Sequence, residues 1–394
     1  MGNKHEVVIA SAARTPIGSY NGVLASITAP QLGSMVIKEV LHRSGVDSSL
    51  VGEVIMGNVL TAGEGQAPAR QAAIYAGLPT STSCMTINKV CGSSLKAVML
   101  GAQAIALGDS EIVVAGGMES MSNVPYYLPQ ARFGLRMGHG QIIDGMIRDG
   151  LWDVYNDFHM GNAAELCARE CKIPRESQDE FAILSYKRAL EAQKNGWFNE
   201  EIVPVTVKQK KEESIIREDE EPQKVKFEKI TSLRPAFEKD GTITAANASK
   251  INDGAAAVLM MSREKAEALG IKPLAKVIAY STASKDPEWF TTAPADAIDR
   301  LLKKSNLLAQ NIDLFEINEA FSVVSLAVNQ ILNLDVNKVN IAGGAVALGH
   351  PIGASGSRIL TTLLYNLKRT HGRTGIASLC IGGGEAVAVL VEMI

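Results

Sequence analysis

The 394-residue sequence predicts an α/β fold made of two similar halves, and three observations carry that prediction. Residues 31–60 place Leu32, Val36, Ile37, Val40 and Leu41 at helical spacing, follow them with a short polar link, and end in a strand at Asn58. Residues 293–322 repeat this plan and end at Asn318, 260 positions later. Residues 91–117 and 356–383 share a second plan of small residues, apolar helix, turn, strand and Gly-Gly, about 266 positions apart. The strands in both arrays lack strict apolar/polar alternation, as expected of sheets covered on both faces.

The elements follow in order. Behind Cys91, Leu95, Val98, Met99, Ala102, Ile105 and Ala106 mark the inward faces of a long apolar helix, and Ile359, Leu360, Leu363, Leu364 and Leu367 mark its counterpart. About 130 residues of different character separate the halves. Within them, YYLPQARFGLRMGHGQ (126–141) is rich in Gly, Pro and Arg, and the run at 207–230 is dense in both signs of charge. Both read as non-core segments, the second as a solvated face.

With 46% hydrophobic and 21% charged residues, the composition is that of a globular protein. A net charge of -3 provides no field to attract nucleic acid or an anionic membrane, so a small-molecule partner is expected. The apolar stretch near the start is cut off by Arg14 and Pro16, too short for an export signal, and the chain is expected to be cytoplasmic. Five cysteines fit reduced thiols. Cys167 and Cys171 have helical spacing and no second ligand pair nearby, so no metal site is expected.

Cys91 stands between a strand and an apolar helix, where the helix amino terminus is expected to lower the thiol pKa. An unpaired cysteine is also a common small core residue, so this motif alone leaves catalysis and packing both open. His350 precedes Pro351 in a Gly-rich turn before the second apolar helix, and Cys380 ends a strand just before three glycines. Those glycines allow backbone N–H groups, Gly382 among them, to converge on an oxyanion, while the second thiol is suited to move a proton. Asn318 closes a strand and can hold a water or a carbonyl oxygen. A cysteine peptidase also needs Cys and His, but does not explain the second thiol or the duplication.

NKVCGSSLKA, GGMESMS, NEAF, GGAVALGHPIGASG and CIGGG stand in the order and spacing of the thiolases, and the sequence resembles that family from residue 11 to the last strand. Short-chain members are the most similar, through FHMGNAAE (158–165) and the pantetheine-binding stretch TAANASKINDGAAA (244–257). The resemblance implies duplicated βαβαβ halves in a layered α/β/α/β/α core. Residues 1–120 with 246–272 would form one half, 273–394 the other, and 121–245 an inserted loop domain for coenzyme A and tetramer contacts.

The implied reaction is reversible Claisen condensation of two acetyl-CoA to acetoacetyl-CoA and CoA, with CoA thioesters as substrates and no cofactor or metal. Cys91 would carry the acetyl group, His350 activate it, and Cys380 act as acid and base. His350 with a water on Asn318 would form one oxyanion site, and the N–H groups of Cys91 and Gly382 the other. His159, Met160, Ala245, Ser249, Ile251, Ala320 and Phe321 would line the substrate path, with Met160 narrowing the acyl pocket to about four carbons. A homotetramer is the implied assembly.

The sequence also departs from the family. Gln223 and Lys224 stand where many members place an arginine near the CoA nucleotide, Pro222 replaces the tyrosine of potassium-dependent members, and Lys250 is larger than the small residue usual there. A broader-range 3-ketoacyl-CoA thiolase and a non-catalytic acyl-CoA or lipid-binding protein are the alternatives.

Overall fold

A computed structural model of the chain describes residues 5–209 and 212–394. β1 (Val7–Arg14) is buried along its length. α1 (Ala29–Ser44) has Pro30 in its first turn, stops at a left-handed Gly45, and buries Leu32, Val36, Ile37, Val40 and Leu41 as their spacing predicts. β2 (Glu53–Gly57), α2 (Pro68–Tyr75), β3 (Ser83–Ile87), α3 (Ser93–Leu107) and β4 (Ile112–Ser120) follow. The insertion contributes α4 (Met160–Glu170) and α5 (Arg175–Lys194), after which β5 (Asn252–Ser262) returns to pair with β4 and β1.

The second half contains β6 (Ala275–Ser284), α6 (Ala293–Ser305), β7 (Leu314–Ile317), α7 (Ser322–Leu332), α8 (Ser355–Thr370), β8 (Thr374–Ile381) and β9 (Glu385–Met393). Strand order is β3-β2-β4-β5-β1 in the first half and β7-β8-β9-β6 in the second. A parallel bridge from Phe315 to Val339 stands beside β7 where β3 stands beside β2. The halves therefore share one topology, and Asn58 and Asn318 each follow the equivalent strand. β1 and β6 join the two sheets through only two residue pairs.

Helices α3 and α8 form the middle layer. Leu95, Val98 and Ile105 of α3 share one core with Ile359, Leu363 and Leu367 of α8 and with strands of both halves. This explains an apolar stretch, Val90–Leu107, that is long enough to cross a membrane: its apolar faces are spent between two sheets. A side chain at Gly356 would run into the Leu95 backbone, so the two helices meet at van der Waals contact. α1 and α2 cover the outer face of one sheet, α6 and α7 that of the other.

The charged run at 207–230 is less solvated than its composition suggests. Val205 and Val207 enter the first-half core. Asp219 is buried because Arg14, itself 0% exposed on β1, needs it. The Arg14 Nε donates to Glu201 at 2.5 Å, and its Nη1 and Nη2 donate to the two Asp219 oxygens at 2.7 and 2.9 Å. Lys210 and Lys211 lie outside the described residues. Arg14→Met strands two buried carboxylates and should cost about 3–5 kcal/mol of stability. Urea unfolding checks this, and an unchanged midpoint at equal slope would contradict it.

Candidate active site

Cys91 sits on a tight turn between β3 and α3. Asn88 Oδ1 accepts the Val90 N–H at 2.9 Å, and Ser93 Oγ accepts the Lys89 N–H at 2.8 Å while donating to the Val90 carbonyl at 2.6 Å. These bonds hold Val90 at φ 44°, a left-handed conformation unusual for a β-branched residue. The thiol that follows is partly buried, and the backbone N–H groups of Gly382 and of Cys91 itself are directed at its sulfur.

The expected lowering of this thiol's pKa does not occur in the free protein. Burial pushes Cys91 up to about 11, and the two N–H groups offset only part of that rise. α3 begins two residues later, at Ser93. The thiol therefore rests neutral and needs a base at the moment of attack.

His350 is 5% exposed and held from three sides. Its N–H donates to Asn252 Oδ1 at 2.9 Å, and Gly349, at φ 110°, leaves the Asn252 side chain room that any Cβ would take. The Ser355 hydroxyl donates to the Pro351 carbonyl at 2.9 Å, so we assign it as the acceptor of the His350 Nδ1–H, at 2.5 Å. Nε2 is then the unprotonated nitrogen, with Asn318 Nδ2 3.4 Å away. Burial, then the Arg358 charge, lowers the imidazole to about 3. Asn318 is fully buried, and its Oδ1 has no hydrogen-bond partner among the described residues.

Cys380, the last residue but one of β8, is fully buried and packed with Met160, Ala320 and Phe321. Burial first, and then neighbouring Cys91, hold its thiol well above the ordinary range. After Gly382 the chain turns into β9 through Gly383 and Gly384, both at positive φ. Glu119 ties the halves together here: it accepts from Asn58 Nδ2 and from the N–H groups of Val59, Leu60 and Gly353, at 2.8–3.1 Å.

A cavity of about 310 Å³ opens onto these groups, lined by Cys91, His350 and Gly382 and by the predicted His159, Met160, Ser249, Ile251, Ala320 and Phe321. His159 Nδ1 accepts the Gly161 N–H at 3.0 Å to cap α4, and its ring stacks on Phe237 at 4.8 Å. The Met160 sulfur lies 3.4 Å from where a Cβ on Gly382 would stand, closing one end. The Ser249 N–H donates to the Ala320 carbonyl at 2.9 Å, fixing the 248–251 stretch against the residues after β7. Asn318 and Cys380 sit behind the lining. Ala245 is exposed and does not line the cavity.

Val90, Asn252, Ser355, Phe237 and Phe290 complete the site without having been singled out from sequence. Ser355, within the quoted GASG, carried a weak signal as a hydroxyl next to the histidine turn. A positive φ at valine has no sequence signature. Among the described residues, no three His, Cys, Asp or Glu side chains gather in a way that could hold a metal ion. The Cys167 and Cys171 sulfurs lie 3.9 Å apart on adjacent turns at the end of α4.

Two family models match. The one described as "Thiolase, N-terminal domain" covers residues 7–264 and the one described as "Thiolase, C-terminal domain" covers residues 271–393. The chain is 56% identical over 389 residues to a protein of Cupriavidus necator named acetyl-CoA acetyltransferase, covering 98% of this chain and 99% of that one. Its fold matches the crystal structure of the Bacillus anthracis acetyl-CoA acetyltransferase with a TM-score of 0.98 at 43% identity, each chain covered completely. It also matches the Acat5 thiolase of Ascaris suum, solved in complex with coenzyme A, with a TM-score of 0.95 at 49% identity over 99% of this chain and 100% of that one.

Proposed function

The chain belongs to the thiolase family, and from that premise we propose that it is an acetyl-CoA C-acetyltransferase that interconverts two acetyl-CoA with acetoacetyl-CoA and CoA. The observation that carries the reading is the convergence on one cavity of Cys91, His350 with an unprotonated Nε2 and the Gly382 N–H, with the buried Cys380 thiol behind its lining.

Proton transfer closes in the thiolysis direction. Cys91 Sγ attacks the 3-keto carbon of acetoacetyl-CoA as its proton passes to His350 Nε2, so the high thiol pKa is overcome only when a carbonyl is there to take the electron pair. The N–H groups of Cys91 and Gly382 receive the tetrahedral oxyanion; each such donor is worth about 3 kcal/mol in the transition state. Cleavage of the C–C bond expels the enolate of acetyl-CoA, which takes its proton from Cys380. The enolate oxygen is held meanwhile by His350 Nε2–H and a water on Asn318, whose Oδ1 is buried and needs a donor.

The acetyl-enzyme then carries an imidazolium and a Cys380 thiolate, the one charge compensating the other. Incoming CoA gives its thiol proton to Cys380, its sulfur attacks the acetyl thioester, and the departing Cys91 thiolate recovers its proton from His350. Condensation is the same path reversed. The protein groups supply all the proton transfers.

Substrate length follows from Met160, whose sulfur packs on Gly382 and shortens the acyl end. Acetoacetyl-CoA should be cleaved faster than 3-ketohexanoyl-CoA by about tenfold or more, the scale set by one or two methylenes without room. Met160→Ala should narrow that ratio. Faster cleavage of chains of eight or more carbons would instead favour the broader-range reading.

We also infer a homotetramer, which the exposed Tyr126, Phe133, Met137 and Ile142 of the inserted loop support. A cytoplasmic location rests on the sequence alone. Light scattering with and without Phe133→Ser and Met137→Ser tests the assembly.

A further inference from the structure

Lys250 is the residue that the family pattern leaves unexplained. It stands between Ser249 and Ile251 in the stretch that lines the cavity, and that stretch is immobilised by the Ser249 bond to Ala320 and the bridge between Ala248 and Phe321. Its Nζ donates to the Ala248 carbonyl at 2.8 Å and to the Val346 carbonyl at 3.4 Å, and lies 5.7 Å over the Tyr186 ring. Both acceptors are uncharged. An ammonium has three N–H groups; two go to carbonyls and the ring face, 5.7 Å away, takes none, so one is left for a further acceptor.

We propose that Lys250 is a substrate-binding residue of this chain, its ammonium donating to an amide carbonyl of the pantetheine arm of the incoming CoA thioester. The inference rests on the acyl-CoA reading above. Ser249, Lys250 and Ile251 line the same cavity as Cys91, so a thioester arm laid along that wall passes Lys250. A buried cation whose direct hydrogen-bond partners are neutral carbonyls gains more from one further oxygen than a solvated lysine would. Val346 lies in the single helical turn Ala345–Leu348 just before His350, so the same ammonium ties the cavity wall at 248–251 to the segment that carries the base.

Binding should therefore be linked to protons. Burial lowers the Lys250 ammonium to about 8, opposed by the Glu221 charge. The other titratable groups around it are Tyr186 on α5 and Glu319, which accepts the Val346 N–H; His159 and His350 line the same cavity. A ligand oxygen favours the charged form and raises the pKa. At about pH 8 binding should take up a fraction of a proton through Lys250, and at about pH 6.5, where the amine is already charged, it should take up none by this route.

The test uses the full chain with Cys91→Ala, so that acetyl-CoA binds without reacting, and calorimetric titration at about pH 8 in buffers of different ionisation enthalpy. Proton uptake is expected, and adding Lys250→Met should abolish it and weaken acetyl-CoA binding by about tenfold. Lys250→Arg should keep the affinity but not the uptake. Loss of affinity with unaltered uptake would show a merely structural lysine and overturn the assignment, as would no change in either. Should Lys250→Met weaken acetyl-CoA but not acetyl-pantetheine, the contact is with a phosphate and the arm assignment fails. If the folded Cys91→Ala protein binds neither ligand, the acyl-CoA reading itself falls and Lys250 with it.

Discussion

Cys91→Ser should lower acetoacetyl-CoA thiolysis by about four orders of magnitude or more and leave no acetylated chain during turnover. The strained turn at Val90, the two N–H groups at the sulfur and the neutral His350 are all arranged for a thiol whose proton leaves during attack. A serine hydroxyl in the same place starts from a much higher pKa, and the burial that raises the thiol to about 11 would raise the alcohol too. The folded state should hardly notice the exchange, because the side chain faces a cavity and is nearly isosteric. Residual turnover within tenfold of the natural protein, with an acetyl thioester on another cysteine, would move the nucleophile elsewhere.

Cys380→Ser separates the two half-reactions. Overall thiolysis and condensation should fall by about 10²–10⁴-fold, the range for losing a positioned acid and base. Acetylation of Cys91 from acetyl-CoA should persist at a much larger fraction of its normal rate. In that step Cys380 only protonates a departing CoA thiolate, which can leave as the anion, whereas the acetyl-CoA enolate is neither made nor quenched without a proton transfer at carbon. Cys380 is buried against Met160 and Phe321, and a hydroxyl there is a poor proton donor and a worse base. Single-turnover acetylation beside steady-state rates checks the split, and equal loss in both would remove Cys380 from the proton transfer at carbon.

Much of this architecture was legible because the chain repeats itself. The helical spacing at Leu32–Leu41 and at Ile359–Leu367 marked faces that are buried, and the two asparagines 260 positions apart end equivalent strands. Recognition of the motifs then tied Cys91 to His350 and Cys380, partners that no local pattern joins. What stayed hidden depends on residues distant in sequence. The charged run at 207–230 could not reveal that Arg14, some 200 positions earlier, buries Asp219. Asn252 fixes His350 from β5, and Phe237 stacks on His159 from the insertion. The Cys91 thiol pKa was misjudged because a helix terminus is visible in sequence, while the desolvation that outweighs it is set by the cavity.

The central claim is that Cys91 carries the acetyl group between substrates. Its most direct test is to quench the protein with acetyl-CoA on the millisecond scale, weigh the intact chain, and map the modified peptide. One acetyl group per chain is predicted on the peptide containing Cys91, formed as fast as turnover requires and discharged to acetyl-CoA when CoA is added. Turnover with no acetylated chain, or an acetyl group that maps to Cys380, would contradict it.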